Sequence, residues 1–147
     1  MPGSNLDVPL CTLLYQATVD IGDRQDLGTS PLGQRYLIPI LGGTFEGEGL
    51  KGTVLPGGAD RQLLRADGCK LLDAEYEMRT DDGVTLSIRN RVLIDDNPPQ
   101  PRYARSVVDI TAPAGTYAWL SRKILIGTLR SLQPERQAVL ITVYTLA

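Results

Sequence analysis

The chain has 147 residues, 22% of them charged, with a formal net charge of −2: enough for one domain with a sizeable core, but without the basic surplus that nucleic acid or an anionic membrane surface demands. The complete lack of histidine removes His-based triads and the commonest zinc and iron ligand. Cys11 and Cys69 have no metal-like spacing and read as unpaired thiols of a reducing cytoplasm, while no apolar run reaches the ~20 residues of a membrane-spanning helix.

Residues 1–9 carry neither the basic start nor the apolar run of a signal peptide and read as a loose arm on a single domain spanning 1–147. From residue 11 onward the dominant period is two. Strands are expected over 11–21, 36–46, 50–55 and 61–65, with Pro56-Gly57-Gly58 and Asp67-Gly68 as turns. In 72–79 every even position is apolar or aromatic and every odd one is charged, which is a strand with one face in a core and the other in water. Asp81-Asp82-Gly83 then turns the chain into a second alternating run, 84–94, so that 72–94 reads as a hairpin. After the loop Asp95-Asp96-Asn97-Pro98-Pro99, strands follow over 106–111, 124–129 and 138–146, with one short helix or turn around Trp119 between the first two. About nine closely spaced strands point to an all-β fold, a single antiparallel β-barrel of the lipocalin-like or allene-oxide-cyclase-like kind. Closure removes the exposed edges that an open sheet would leave, and a barrel of this size can hold one small ligand.

The string GEGLKG, with Gly47, Gly49 and Gly52, matches the dinucleotide fingerprint G-x-G-x-x-G. That motif works only when a helix follows, because the helix N-terminus holds the pyrophosphate. Here Thr53-Val54-Leu55-Pro56 follows instead, so these glycines are expected to shape a bent hairpin and no nucleotide is expected.

Asn90 interrupts an apolar strand face between Ile88 and Val92. A buried amide must find partners or cost about 1–3 kcal/mol, so it is either satisfied by backbone or water, or it reaches into a cavity to orient a ligand. Tyr76 and Met78 share that face on the partner strand and would supply an aromatic wall and a hydroxyl. Asp60, after Gly57-Gly58-Ala59, either caps a turn or, with Glu46 across the glycine-rich hairpin, serves as the carboxylate that a histidine-free proton-transfer site needs. Phe45 and Ile88 complete the candidate wall. Trp119 reads first as a plug or core residue and second as a substrate platform. Arg89 and Arg91 project from the opposite face to Asn90 and suit solvent or an interface.

Taken in order, Ile40-Leu41-Gly42-Gly43-Thr44-Phe45-Glu46-Gly47, Leu50-Lys51-Gly52, Pro56-Gly57-Gly58-Ala59-Asp60, Arg89-Asn90-Arg91 and Tyr117-Ala118-Trp119-Leu120 resemble the domain of unknown function 3237 family over nearly the whole chain. That resemblance implies a small antiparallel barrel, often a homodimer. By analogy with relatives in biosynthetic clusters, it also implies cofactor-independent cyclase or isomerase chemistry on aromatic or polyketide-like molecules. Asp60, Glu46 and Asn90 are then the candidate catalytic residues, and Tyr76, Met78, Ile88, Phe45 and Trp119 the candidate substrate contacts. Neither metal nor cofactor is expected. Three readings stay open: an acid–base enzyme (cyclase, isomerase or hydratase/lyase) on a small apolar substrate, a non-catalytic ligand-binding barrel, and a dimeric module with a packed interior.

Overall fold

The computed structural model describes residues 6–99 and 101–147. Its elements are β1 (Cys11–Ile21), β2 (Gln25–Ser30), β3 (Gly33–Gly47), β4 (Leu50–Val54), β5 (Ala59–Leu64), β6 (Lys70–Thr80), β7 (Thr85–Asp95), β8 (Tyr103–Thr111), a 3-10 turn (Ala118–Arg122), β9 (Leu125–Ser131) and β10 (Ala138–Leu146). Residues 6–10 precede the first strand and are exposed; residues 1–5 of the expected N-terminal arm lie outside the described residues.

All pairings are antiparallel; the main path is β1-β10-β9-β8-β7-β6-β4-β3-β2, and β5 lies off it, paired with β3 and β6. β1 also pairs with β3, from Gln16↔Glu46 to Ile21↔Ile40, and this contact closes the sheet. The result is an eight-stranded barrel with two extra strands.

The 15-residue β3 is the hub. Its first half pairs with β2 on one side and β5 on the other, and its second half with β1 and β4. The exchange happens around Pro39, whose missing N–H is tolerated where ladders break off, and Pro39 O accepts instead from Gly22 N at 2.8 Å.

Period-two patterning decides which side chains enter the barrel. In β6 and β7, Leu72, Ala74, Tyr76 and Met78 and then Leu86, Ile88, Asn90 and Val92 are buried. The opposite face carries exposed ion pairs, such as Arg89–Asp73 at 2.9 Å and Arg91–Asp109 at 3.3 Å. The expected barrel and hairpin are thus present, with ten strands in place of about nine. The additional one, β2 with sequence QDLGTS, is almost wholly exposed. It has no buried face to generate alternation and exists because the first half of β3 offers it a ladder, with a register shift between Asp26 and Gly28.

The glycines of GEGLKG serve the β3–β4 hairpin. Gly49 turns the chain with φ at +69°, and Gly52 lies so close to β6 that a Cβ would sit 1.9 Å from Arg79 O.

Candidate functional site

The barrel has two unlike ends. Strands β6, β8 and β10 start at the end where β1, β5, β7 and β9 finish, and the 3-10 turn lies at the other. That turn drops Leu120 into the core, 1% exposed, beside Leu125, Leu86 and Met78. Ser121 Oγ accepts from Ala112 N at 3.0 Å, and Tyr117 OH donates to Asp82 Oδ1 at 2.8 Å, so the closure is tied to β8 and to the β6–β7 turn.

The first end opens into a cavity of about 270 Å³. Its depth is read along β6, where Lys70, Leu72, Ala74 and Tyr76 all line it, from rim to floor. The six steps from Lys70 to Tyr76 correspond to roughly 20 Å measured along the strand. Ala74, the smallest of the four, leaves width at mid-depth. Around it the register places Ile38, Asp60, Ala74, Asn90 and Val108 side by side across β3, β5, β6, β7 and β8.

Three polar atoms of the cavity residues have no partner among the described residues: Asp60 Oδ1 and Asn90 Oδ1 at this level and Tyr76 OH from the floor. Asp60 as a residue is half-buried, yet Oδ1 is out of reach of solvent. Asp60 Oδ2 accepts from Gln62 Nε2 at 2.9 Å. Burial, with a smaller contribution from the Asp73 charge, pushes the Asp60 carboxyl above its ordinary value, opposed in part by the Gln62 hydrogen bond, by Lys70 and, least, by the approaching Asp73 backbone N–H. Burial, reinforced by the nearby Asp60, keeps the Tyr76 hydroxyl protonated far beyond neutrality. Tyr76 reaches its position because Gly58 lies beneath it: a Cβ there would come within 2.5 Å of Tyr76 Cβ. Behind the floor Tyr15 OH is also unpartnered, its proton held by burial and secondarily by Tyr76.

The structure therefore gathers Asp60, Asn90 and Tyr76 around one cavity and leaves the other sequence candidates outside it. Glu46 is exposed beside Lys51 at the closed end, because Phe45 points inward and its neighbour on a strand must point out. Phe45 packs edge-on against Tyr15, with ring centroids 5.8 Å apart. Met78 and Ile88 are fully packed core residues that do not reach the cavity. Trp119, 38% exposed, lies on the rim of the closed end; Leu120 does the plugging. The cavity residues that sequence reasoning did not name are chiefly Gln62, Lys70, Arg24 and Arg102. The first two carry a readable signal, since each continues the inward parity of its strand, Gln62 from Asp60 and Lys70 from Leu72.

The family described as "Protein of unknown function (DUF3237)" matches residues 9–146. The chain belongs to the DUF3237 family. A UPF0311 protein of Rhodopseudomonas palustris is 34% identical over 128 residues, covering 78% of this chain and 84% of the relative. The crystal structure of a conserved protein of unknown function from the same species superposes with a TM-score of 0.87 at 28% identity, covering 97% and 100% of the two chains. A β-barrel-like protein of Acinetobacter baumannii also gives 0.87, at 30% identity over 97% and 99%. The crystal structure of an enzyme from Penicillium herquei gives 0.77 at 23% identity over 99% of both chains, and so shares the fold. The family assignment and the barrel expected from the sequence both hold for this DUF3237 protein. In the described residues no helix is long and apolar enough to cross a membrane.

Proposed function

We propose that this DUF3237 protein is a cofactor-independent acid–base enzyme that moves a proton on a small, largely apolar carbonyl compound held in the cavity. The observation that carries the reading is the convergence of Asp60 Oδ1, Tyr76 OH and Asn90 Oδ1, all buried and unpartnered, on one apolar-walled space. Unsatisfied buried polar groups cost stability, and three of the five such atoms among the described residues, the other two being Tyr15 OH and Ser106 Oγ, lie on residues that line this cavity, which fits a site whose partners arrive with a ligand.

In the proposed step the Asp60 carboxylate takes a proton from the carbon next to a substrate carbonyl. The C–H electron pair moves into the new C=C bond and the carbonyl electrons onto oxygen, where Tyr76 donates a hydrogen bond. Returning the proton to a different carbon gives isomerisation; attack of the enolate carbon on a second carbonyl of the same molecule closes a ring, re-forming the first C=O while the second carbonyl's π pair moves onto its oxygen, which takes the proton back from Asp60. A carboxyl raised by burial is a stronger base once ionised and remains able to return its proton near neutral pH. Asn90, across Ala74 from Asp60, orients the substrate's second polar group. The reading is compatible with the Penicillium herquei protein of the same fold, which is described as an enzyme.

The test is hydrogen–deuterium exchange at the activated methylene of 2-tetralone in D2O, followed by NMR. The protein is expected to accelerate exchange and Asp60→Asn to remove ~10²-fold or more of that acceleration. Binding of 2-tetralone without exchange by the unaltered protein would instead make the barrel a carrier. Unchanged exchange in Asp60→Asn would remove Asp60 from the step.

A further inference from the structure

Resting on the reading of the cavity as a ligand site, the geometry points to a substrate class: a small amphipathic anion, with an apolar body directed at Asp60, Tyr76 and Asn90 and a single carboxylate-type head held at the mouth by Lys70, Arg24 and Arg102. These cations come from separate elements, the start of β6, the β1–β2 loop and the β7–β8 loop, yet all line one opening. Asp60 is the only carboxylate among the residues lining it. In a chain whose formal net charge is −2, this is a local excess of positive charge set against the overall sign.

Each cation keeps donors for a ligand. Lys70 is half-buried and, among the described residues, has no carboxylate within ion-pair distance. The Arg24 guanidinium lies 4.2 Å from the centre of the Tyr36 ring, a cation–π contact that restrains the group without using an N–H···acceptor bond. Arg102 makes its shortest contact with Asp96 through Nε at 3.3 Å, and the five N–H donors of a guanidinium exceed what one carboxylate can engage. Like charges around a low-dielectric opening focus the field inward and attract an anion. The volume, about 270 Å³, lies just below the ~300–1,000 Å³ usual for ligand sites, which limits the body to about one or two rings or a short chain. With the head held at the rim, the carbon that exchanges its proton belongs to the body of the molecule and not to the position beside the carboxylate.

The test uses matched acid and amide probes (benzoate with benzamide, 2-naphthoate with 2-naphthamide, octanoate with octanamide) in isothermal titration calorimetry. At least one acid is expected to bind about tenfold or more tightly than its amide, as for a charge-assisted hydrogen bond. Its affinity should fall between about 20 mM and about 500 mM salt while the amide's does not. Lys70→Met and Arg24→Gln should each lower the acid's affinity several-fold and leave the amide's unchanged, with folding of both variants checked by thermal melting. Equal affinity of every acid and amide, insensitive to salt and to both substitutions, overturns the anionic class and leaves the cavity as a ligand site. Absence of binding by all six probes up to about 5 mM overturns both readings.

Discussion

The closed and open ends of the barrel are built from the same strands and the same inward parity, yet they are packed to opposite purposes. At the closed end the inward residues are Met78, Leu86, Leu120 and Leu125, all at or near zero exposure. At the open end the inward faces continue as Asp60, Gln62, Lys70 and Asn90 among Val92, Ile94 and Ala104, and a second, separate apolar cluster forms around the rim. The difference shows where the fold keeps its stability and where it gives some up: one end is close-packed, and the other leaves polar atoms unmatched around a space.

The sharpest way to break that contrast is to remove equal bulk from each end. Leu120→Ala and Ile94→Ala both delete three carbons, but only the first opens a new void in a filled core. Denaturant unfolding should show a loss of about 3–5 kcal/mol for Leu120→Ala and about 2 kcal/mol for Ile94→Ala, whose space merges with an existing cavity. Equal losses would mean that the open end is packed as tightly as the closed one.

Next in size is the pH response of Asp60. Its carboxyl is raised in the fold, so its contribution to stability is fully present below the ordinary value of 3.8 and is lost as pH rises through the folded value. Asp60→Asn should therefore melt higher than the unaltered protein at pH 7 and approach it at pH 3. A lower melting temperature at pH 7 would show the carboxylate to be stabilising, against its reading as a group held for function.

A smaller effect is expected from Tyr76→Phe. Because its hydroxyl has no protein partner, removing it should change stability by less than about 1 kcal/mol, in the stabilising direction. The proton exchange proposed above should nevertheless fall. The smallest effect belongs to the outer face, where Asp73→Ala breaks an exposed pair with Arg89; a change of at most about 1 kcal/mol is expected, shrinking with salt.

The barrel was legible in the sequence where one strand face is wet. β6 and β7 alternate because Asp73, Glu75, Arg89 and Arg91 face water opposite a core. β2 was not legible, since a strand exposed on both faces leaves no period to read. Within the candidate site, parity along each strand is the usable signal. Phe45 and Glu46 are neighbours on one strand and cannot both face inward, and it is Phe45 that does. Gln62 and Lys70 follow by steps of two from residues already placed inside. Arg24 and Arg102 come from loops, where no period applies and only the assembled rim brings them together. Met78 and Ile88 had the right face but the wrong height, and height along a barrel depends on strand offset, which pattern alone does not give.

The seam between β1 and β10 has a consequence for how the molecule is made. The pairing from Cys11↔Leu146 to Asp20↔Ala138 joins the first and last strands of the sheet, so the ring stays open until nearly all of its sequence has been synthesised, at about 5–20 residues per second. Until then one edge of β1 and one edge of β9 have no neighbour and are open to pairing with another chain. A topology with its closing contact this far apart in sequence belongs to the slow, millisecond-to-second folding class. Nascent chains lacking 138–146 should accordingly be the species that chaperones hold and that aggregates capture.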